Sequence, residues 1–321
     1  MYDVTAVCRA YVDLIVPVSF EELKELGLIP GQDQLVSKEE ISRLTTKFLD
    51  RAEIWPGGPG ANTVSGVRAL SGKGAFIGKI SDDQMGKIFK KDMDERDIDF
   101  DTEVLPNDVT ASCVIFVAPS GDRTILYNPA IADKVTMADL ETNKAVLETS
   151  KILFLGWLNR ETKCADVIKR IYELTPNAKY VASLQSYGAR ENDEFDAISK
   201  ADILLGNENE YGLYIMDLKL DDIAELSLAM PEKTFVCTKG KHGASVYQKG
   251  ICIDIAAASC DKVIDATGGG DAWAAGFLYG MAKDMPIEKC GALGALCAAE
   301  IIQHNGARPQ GSWTHLLEQV K

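Results

Sequence analysis

Short apolar runs alternate with segments of helical periodicity along most of the chain. Runs rich in β-branched and aromatic residues predict strands at 75–78, 151–155, 179–183, 202–205 and 234–238. Apolar positions spaced three and four residues apart predict helices over 83–96, 161–174 and 189–200. This alternation predicts an α/β fold, a mostly parallel sheet with helices on both faces. Because such sheets bind ligands where their strands end, the loops after these strands are expected to form the site.

A second group of strands interrupts the alternation. Residues 11–18, 111–117 and 123–127 are rich in β-branched and aromatic side chains. The last two runs are separated by the turn sequence Pro-Ser-Gly-Asp at 119–122, which predicts a hairpin. We expect these antiparallel pieces to form a small lid beside the main sheet.

The chain is strongly acidic, which limits the partners it can bind. Its 321 residues contain 34 Lys and Arg against 48 Asp and Glu, for a formal net charge of −14. We expect no nucleic-acid partner and no anionic-membrane surface, because the mean field of the protein repels phosphates. Any phosphate must then be bound by local donors and metal ions. The length allows one large domain with a smaller piece, or two domains.

Cysteine use and hydropathy favour a cytoplasmic protein. The eight cysteines include no Cys-x-x-Cys pair, so neither a zinc site nor a disulfide framework is expected. The N-terminal stretch has no basic region before its apolar part, and Asp13 interrupts that part, so we expect no secretory signal. No uncharged apolar run approaches the roughly 18 residues that a spanning helix needs.

The strongest local motif is the glycine-rich turn DATGGGD at 265–271, which an apolar helical segment follows. Gly268, Gly269 and Gly270 let the backbone turn tightly and direct N–H groups at one point, an anion site at a helix N-terminus. Asp271 in the first helical turn would stay ionised. It could accept the proton of a hydroxyl while the turn stabilises the charge of a transferring phosphoryl group. On the residues alone, a plain glycine loop with Asp271 as a helix-start residue explains the segment equally well.

Two further motifs place polar residues where helices begin. The segment GGPGAN at 57–62 puts Asn62 in a flexible turn, where its amide could hold a polyol or could cap the following helix. The segment LLGNENE at 204–210 puts Asn207 and Glu210 just beyond a strand, where they could bind ligands or form a capping box.

The segment TKGKHG at 238–243 follows the predicted strand 234–238 and contains Gly240 and Gly243. A nucleotide could lie close to the backbone there, although an ordinary loop explains the same residues. The chain contains neither G-x-x-x-x-G-K-[ST] nor the H-R-D and D-F-G motifs of protein kinases.

Together these motifs resemble the ribokinase/PfkB family of carbohydrate and nucleoside kinases. They occur in the order and spacing of the family and the resemblance covers nearly the whole chain, with DATGGGD as the most specific segment. Within the family, the chain is similar to the adenosine-kinase-like branch. That similarity rests on the sequences VDLI at 12–15, FIGKISDD at 76–83 and GDRT at 121–124, and on the insert at 19–54.

The resemblance implies the ribokinase-like fold, a three-layer α/β/α sandwich with a mostly parallel central sheet and a small β-sheet lid. The large nucleotide-binding domain is then expected to comprise 1–10, 48–97 and 131–321. The substrate lid is expected to comprise 11–47 and 98–130.

The resemblance also implies a role for individual residues. Asp271 is the expected general base, and the backbone of Gly268–Gly270 is the expected anion hole. The other matching positions are Asp13, Gly58, Asn62 and the lid residue Arg123 for the substrate, Asn207, Thr238, Gly240, Gly243 and Asn305 for the nucleotide, and Glu210 for the metal.

Three sites depart from the family pattern. Cys8-Arg9 replaces the usual glycine-asparagine before the substrate aspartate, Val64 stands where a small residue is usual, and Trp273 replaces the usual phenylalanine. A large cation at this point could form an ion pair with Asp13, or Arg9 could bind a carboxylate or phosphate of the substrate.

We therefore predict an ATP- and Mg2+-dependent kinase that phosphorylates a hydroxyl of a sugar or nucleoside. A kinase for an anionic sugar acid or sugar phosphate read by Arg9 is one alternative. A catalytically weak ligand-binding homologue is another. The sequence leaves open a monovalent cation as a further cofactor, and a monomer or a homodimer as the assembly.

Overall fold

The computed structural model describes residues 1–156, 164–185 and 195–320. Within these ranges the strands are β1 (Tyr2–Val7), β2 (Tyr11–Pro17), β3 (Asp33–Leu35), β4 (Glu53–Gly57), β5 (Gly74–Ile77), β6 (Ser112–Val117), β7 (Arg123–Asn128), β8 (Ser150–Leu155), β9 (Lys179–Ser183), β10 (Ile203–Asn207), β11 (Thr234–Thr238), β12 (Ala244–Gln248) and β13 (Ile251–Ile255). The helices are α1 (Phe20–Glu25), α2 (Lys38–Phe48), α3 (Pro59–Ala69), α4 (Gln84–Glu95), α5 (Met137–Thr142), α6 (Lys144–Glu148), α7 (Cys164–Leu174), α8 (Phe195–Lys200), α9 (Glu208–Leu218), α10 (Ile223–Ala229), α11 (Gly269–Ala282), α12 (Ile287–Ile301) and α13 (Thr314–Leu317).

The main sheet has eight strands in the order β13-β12-β11-β10-β9-β8-β1-β5. The six strands from β11 to β5 are parallel, and β12 and β13 add an antiparallel edge. Val4 and Ala6 of β1 pack in one apolar cluster with α3, α11 and α12, whereas Val7 packs in another with α7. Helices therefore cover both faces, which explains why the central strands are buried on both sides and mostly apolar rather than alternating. The predicted three-layer α/β fold with a mostly parallel sheet is confirmed.

The second sheet has five strands in the order β3-β7-β6-β2-β4. The predicted hairpin is present as the antiparallel pair β6–β7. The sheet is mixed rather than built of antiparallel pairs alone, because β2 pairs in parallel with β6, and β3 with β7. Strand β4, at 53–57, pairs with β2 in this sheet, whereas the expected division assigned 48–97 to the large domain. Parallel strands need a long crossover connection. The long segments between β2 and β6 and between β3 and β7, which include α2 and strand β5 of the main sheet, provide it.

The remaining predicted elements agree with the structure where it describes them. The expected strands at 75–78, 151–155, 179–183, 202–205 and 234–238 correspond to β5 and β8–β11, each within two residues at either end. The expected helix 83–96 is α4. The expected helices 161–174 and 189–200 lie partly outside the described residues, and α7 and α8 occupy their described parts. None of the helices in the described ranges combines the length and apolar character that crossing a bilayer requires.

Candidate active site

The glycine-rich turn forms the N-terminus of α11. Gly268 is the N-cap residue with a φ of 77°, in the left-handed region that only glycine adopts readily. A Cβ at this position would also lie 2.5 Å from Cβ of Ala307. Position 268 therefore requires glycine for two reasons: the backbone conformation, and the close approach of the loop after α12.

The N–H groups at the start of α11 differ in their availability. The N–H of Gly269 donates to the carbonyl of Ala266 at 3.2 Å, so it closes the turn. Within the described chain, the N–H groups of Gly270 and Asp271 donate to no backbone carbonyl outside the helix, and they have no acceptor inside it. The expected anion hole at Gly268–Gly270 stays a prediction, and the two unpaired donors of the turn lie at its C-terminal side.

Asp271 lies in the first turn of α11 and lines the cleft. Burial raises the pKa of its carboxyl from 3.8 to about 6, and the negative charge of Glu210 adds to the rise. A hydrogen bond from Asn62 and the charge of Arg308 act in the opposite direction. Part of its surface faces the cleft, so dense surroundings rather than full enclosure produce the shift.

Asn62 connects Asp271 to a buried arginine. Its Nδ2 donates to Oδ2 of Asp271 at 2.7 Å, and its Oδ1 accepts from Nη1 of Arg308 at 2.9 Å. Arg308 is 2% exposed and forms an ion pair with Asp92 of α4, Nε to Oδ2, at 3.1 Å. Sequence reasoning missed Arg308, because nothing in the loop Asn-Gly-Ala-Arg-Pro indicates that the arginine turns inward rather than into solvent.

Asp13 lies on β2, beside the end of β4. An added Cβ on Gly57 would lie 2.7 Å from Oδ2 of Asp13, so the carboxylate covers this glycine. Burial raises the pKa of Asp13 to about 6, while a hydrogen bond from the Cys113 thiol and the charge of Arg308 lower it. The buried guanidinium of Arg308 is thus a counter-charge to both Asp13 and Asp271. Gly58 begins α3 next to this carboxylate with a φ of 90°.

The cleft in front of Asp271 is a cavity of about 240 Å³ at the carboxyl ends of β8–β11. Asn207, Glu210 and Thr238 line it together with Gly268–Gly270. Asn207 and Glu210 form the capping box of α9, in which Oε1 of Glu210 accepts from Nδ2 of Asn207 at 2.8 Å and Oε2 accepts from its N–H at 2.9 Å. The capping interpretation and the site interpretation of this motif are both compatible with its position.

A second cavity of about 450 Å³ adjoins the first across the glycine-rich turn. Gly240, Lys241 and Gly243 line it with Thr238, and most of its other walls are small or apolar: Ala257, Ala258, Cys260, Val263, Ala295, Ala298, Ala299, Ile302 and Trp273. A flat apolar ring could enter between these walls while a charged tail extends past Gly270 into the first cavity. Asn305 is not one of the described residues that line this cavity. It lies three positions after Ile302, and its side chain is exposed to solvent.

Arg123 connects the second sheet to the glycine-rich turn. Its Nη1 lies 3.3 Å from Oγ1 of Thr267, and its Nη2 lies 3.6 Å from Oδ1 of Asp265. Asp265 also accepts hydrogen bonds from Thr267 and from the N–H of Gly306. Burial raises the pKa of Asp265, but these hydrogen bonds and Arg123 outweigh it and the net shift is downward. Asp265 was not singled out from the sequence, although it opens the same motif.

Arg9 is buried and pairs with an acid that the sequence analysis did not single out. Its side chain is 3% exposed, and its Nε donates to Oδ1 of Asp133 in an ion pair. The ion pair described for Arg9 is therefore with Asp133, between β7 and α5. Asp133 is an unremarkable acid in the sequence, so this partnership could be found only from the fold.

The carboxylates near the cleft are few. Among the described residues, no group of three or more His, Cys, Asp or Glu side chains could hold a metal ion. A Mg2+ ion that arrives with nucleotide phosphates needs only one or two carboxylates and keeps several waters. Glu210, whose pKa is raised by burial and lowered in part by the N–H of Asn207, fits such an open site but not a protein-only cage.

Comparisons with known proteins agree with this geometry. The model of the pfkB family of carbohydrate kinases matches residues 34–314. The structure of an adenosine kinase from Sinorhizobium meliloti superposes with a TM-score of 0.84 at 28% identity, covering 100% of this chain and 99% of that one.

Two curated proteins are similar in sequence over most of the chain. An uncharacterised sugar kinase of Archaeoglobus fulgidus is 28% identical over 249 residues, which are 76% of this chain and 96% of that protein. A probable fructokinase of Arabidopsis thaliana is 26% identical over 253 residues, covering 72% and 74% of the two chains.

Proposed function

The chain belongs to the pfkB family of carbohydrate kinases, which transfer phosphoryl groups to hydroxyls. It is a sugar or nucleoside kinase, and on that premise we propose that Asp271 is its general base. The observation that carries this proposal is the position of the Asp271 carboxylate. It lies at the N-terminus of α11, in the cleft that the glycine-rich turn also lines.

Asp271 has the properties that proton abstraction from a hydroxyl requires. Its pKa near 6 leaves it ionised at neutral pH yet more basic than an exposed aspartate. The hydrogen bond from Asn62 occupies Oδ2. This leaves Oδ1 to accept a proton from an acceptor hydroxyl in the cleft.

The charge that develops during transfer would meet the start of α11. The unpaired N–H groups of Gly270 and Asp271 and the helix dipole behind them offer fixed positive partial charge. Arg123 adds a full positive charge from the second sheet, next to Thr267. Phosphoryl transfer depends mainly on positioning and on such electrostatic stabilisation.

We propose ATP as the donor, with its base in the cavity beside Gly240 and Gly243 and its phosphates directed along Gly270 towards Asp271. Mg2+ would be held by the phosphates and by Glu210, with Asn207 orienting that carboxylate. When bound, the ion would supply charge neutralisation to the triphosphate.

We propose a neutral polyol as the acceptor, bound through Asp13 and Asn62. The charged side chains described around this region are Asp13, Asp271, Asp133 and Asp92 against Arg9, Arg308 and Arg96, so one negative charge is in excess. An anionic sugar acid or sugar phosphate would be repelled unless Arg9 left Asp133. Equal turnover of a neutral acceptor by wild type and Arg9→Asn, with no anionic acceptor preferred, would support this choice.

The test is acceptor-dependent release of ADP from ATP and Mg2+, measured with nucleosides, neutral sugars and sugar acids. Strong release with a neutral acceptor that Asp271→Asn abolishes would support both the base and the substrate class. A preference for sugar acids would favour the anionic alternative. Nucleotide binding without release from any acceptor, in folded protein, would favour a catalytically weak ligand-binding homologue.

A further inference from the structure

Arg308 is the one charged side chain of the loop between α12 and α13 that lies within the core of the described structure. It is 2% exposed and contacts three other elements. Its Nη1 donates to Asn62 of α3 at 2.9 Å, its Nη2 donates to the carbonyl of Gly57 at the end of β4 at 3.4 Å, and its Nε pairs with Asp92 of α4. The guanidinium carbon also lies 5.9 Å from the ring centre of Phe89.

The contact with Arg308 fixes which way the amide of Asn62 faces. Arginine has only donors, so the oxygen of the amide must face Arg308. The nitrogen must then face the opposite side, where Asp271 provides an acceptor at 2.7 Å. If the amide were reversed, its NH2 would oppose the guanidinium and its oxygen would oppose the carboxylate. Because Arg308 can only donate hydrogen bonds, it keeps the amide nitrogen of Asn62 directed at Asp271.

We infer that Arg308 is a positioning residue for Asp271 and acts through the amide of Asn62. The inference rests on the proposed function, because it assumes that Asp271 is the base. Arg308 touches neither cavity. Its role is to keep Asn62 donating to Oδ2 of Asp271, so that Oδ1 stays directed into the cleft.

The charged groups around Arg308, Asn62 and Asp271 determine how this arrangement should respond to pH. Asp271 faces Arg308 and Glu210. Arg308 faces Asp92, Arg96 and Asp271, and its charge also reaches Asp13. Burial lowers the pKa of Arg308 to about 10, which leaves it a cation throughout the neutral range. Loss of this cation should raise the pH at which Asp271 ionises.

Arg308→Lys tests the positioning role because it keeps the charge and removes the planar fork. We expect a roughly 10- to 100-fold lower kcat at a pH well above the ionisation of Asp271, with KM for ATP within about twofold of wild type. Arg96→Lys is the matched control, since Arg96 also pairs with Asp92, at 2.7 Å, and contacts the carbonyl of Pro309. Within the described structure its side-chain hydrogen bonds go to Asp92 and Pro309 and not to Asn62 or Asp271, so kcat should stay near wild type.

A double-mutant cycle tests the path through the amide. If Arg308 acts through Asn62, Arg308→Lys should cost almost nothing further in kcat once Asn62→Ala is present. Additive losses would overturn the inference, as would an Arg308→Lys enzyme whose kcat matches that of Arg96→Lys at every pH.

Arg308→Gln provides a second, independent comparison should Arg308→Lys be unstable. Without the cation, the acid limb of kcat/KM should move up by about one pH unit, whereas Arg96→Gln should leave it in place. Failure of both Arg308 variants to fold, seen as loss of the unfolding transition, would show a structural role instead and would overturn the inference. Wild type without any acceptor-dependent ADP release would refute the proposed function itself, which is a separate outcome.

Discussion

Asn62 and Asp271 are 209 positions apart in the chain, yet Nδ2 of Asn62 donates to Oδ2 of Asp271 at 2.7 Å. The contact joins the first turn of α3 to the first turn of α11. Both helices begin at glycines with positive φ, Gly58 and Gly268. The first turns of two helices therefore meet at one carboxylate, and five predictions follow from what surrounds it.

Asp271→Asn should remove the base while preserving the shape of the site. The new amide can still accept a hydrogen bond from Asn62, so we expect ATP to bind normally and kcat to fall by about 10²- to 10⁴-fold. Steady-state ADP release and nucleotide titration measure the two effects. The control is Asp261→Asn, the same change at an exposed acid ten positions earlier, and it should keep full activity.

Activity should decline in acid because Asp271 must be ionised. Since its pKa is about 6, kcat/KM should reach half of its plateau near pH 6 and fall about tenfold per unit below that. A profile that stays flat down to about pH 4, the ordinary range of an exposed aspartate, would contradict the role of Asp271 as the base.

The same raised pKa of Asp271 predicts that the stability of the fold decreases as the pH rises, whereas the activity increases. Between pH 3.8 and about pH 6, the folded chain holds a proton on Asp271 that the unfolded chain has lost. The stability from this group is therefore full below about pH 4 and is lost as the pH rises through 6. Asp271→Asn removes that loss, so its melting temperature should exceed that of wild type by a few degrees near pH 8 and match it near pH 4. Thermal unfolding at both pH values measures this, and a lower melting temperature near pH 8 would contradict it.

Gly268→Ala should damage both the fold and the site. Its φ of 77° disfavours a side chain, and the added Cβ would meet Ala307 at 2.5 Å. We expect a loss of about 1–3 kcal/mol in the free energy of unfolding and a large drop in kcat. Gly212→Ala, on α9 with no atom within 4 Å of the added Cβ, should instead stabilise the protein by about 0.5–1 kcal/mol. Denaturant unfolding separates the two results.

Arg123→Ala should weaken transfer without weakening the fold. The side chain is 47% exposed, so its removal should change the free energy of unfolding by less than about 0.5 kcal/mol. We expect kcat to fall by about tenfold or more, because a positive charge beside the glycine-rich turn is lost. Arg43→Ala removes a similarly exposed cation of α2, paired with Glu40, and should leave kcat unchanged. Equal activity of the two variants would remove Arg123 from the proposed machinery.

The local patterns of the sequence were sufficient for most elements. Strands β5 and β8–β11 and helix α4 appeared at nearly their observed positions, because buried parallel strands are short apolar runs and amphipathic helices repeat every 3.6 residues. Strand β4 was missed: its Pro56 and Gly57 resemble a turn, and only pairing with β2 makes 53–57 a strand. Pairing depends on residues distant in sequence, which local periodicity does not contain.

By itself, the sequence determined the glycine-rich turn, the position of Asp271 at a helix start, and the motifs at 207–210 and 238–243 that line the same pair of cavities. These are short contiguous segments, and their backbone requirements can be read locally. Only the tertiary structure decided the partners of the buried charges: Arg9 with Asp133, and Arg308 with Asn62 and Asp92. A buried charge is stable only where the fold supplies its counter-charge, and those partners come from distant elements that no local pattern connects.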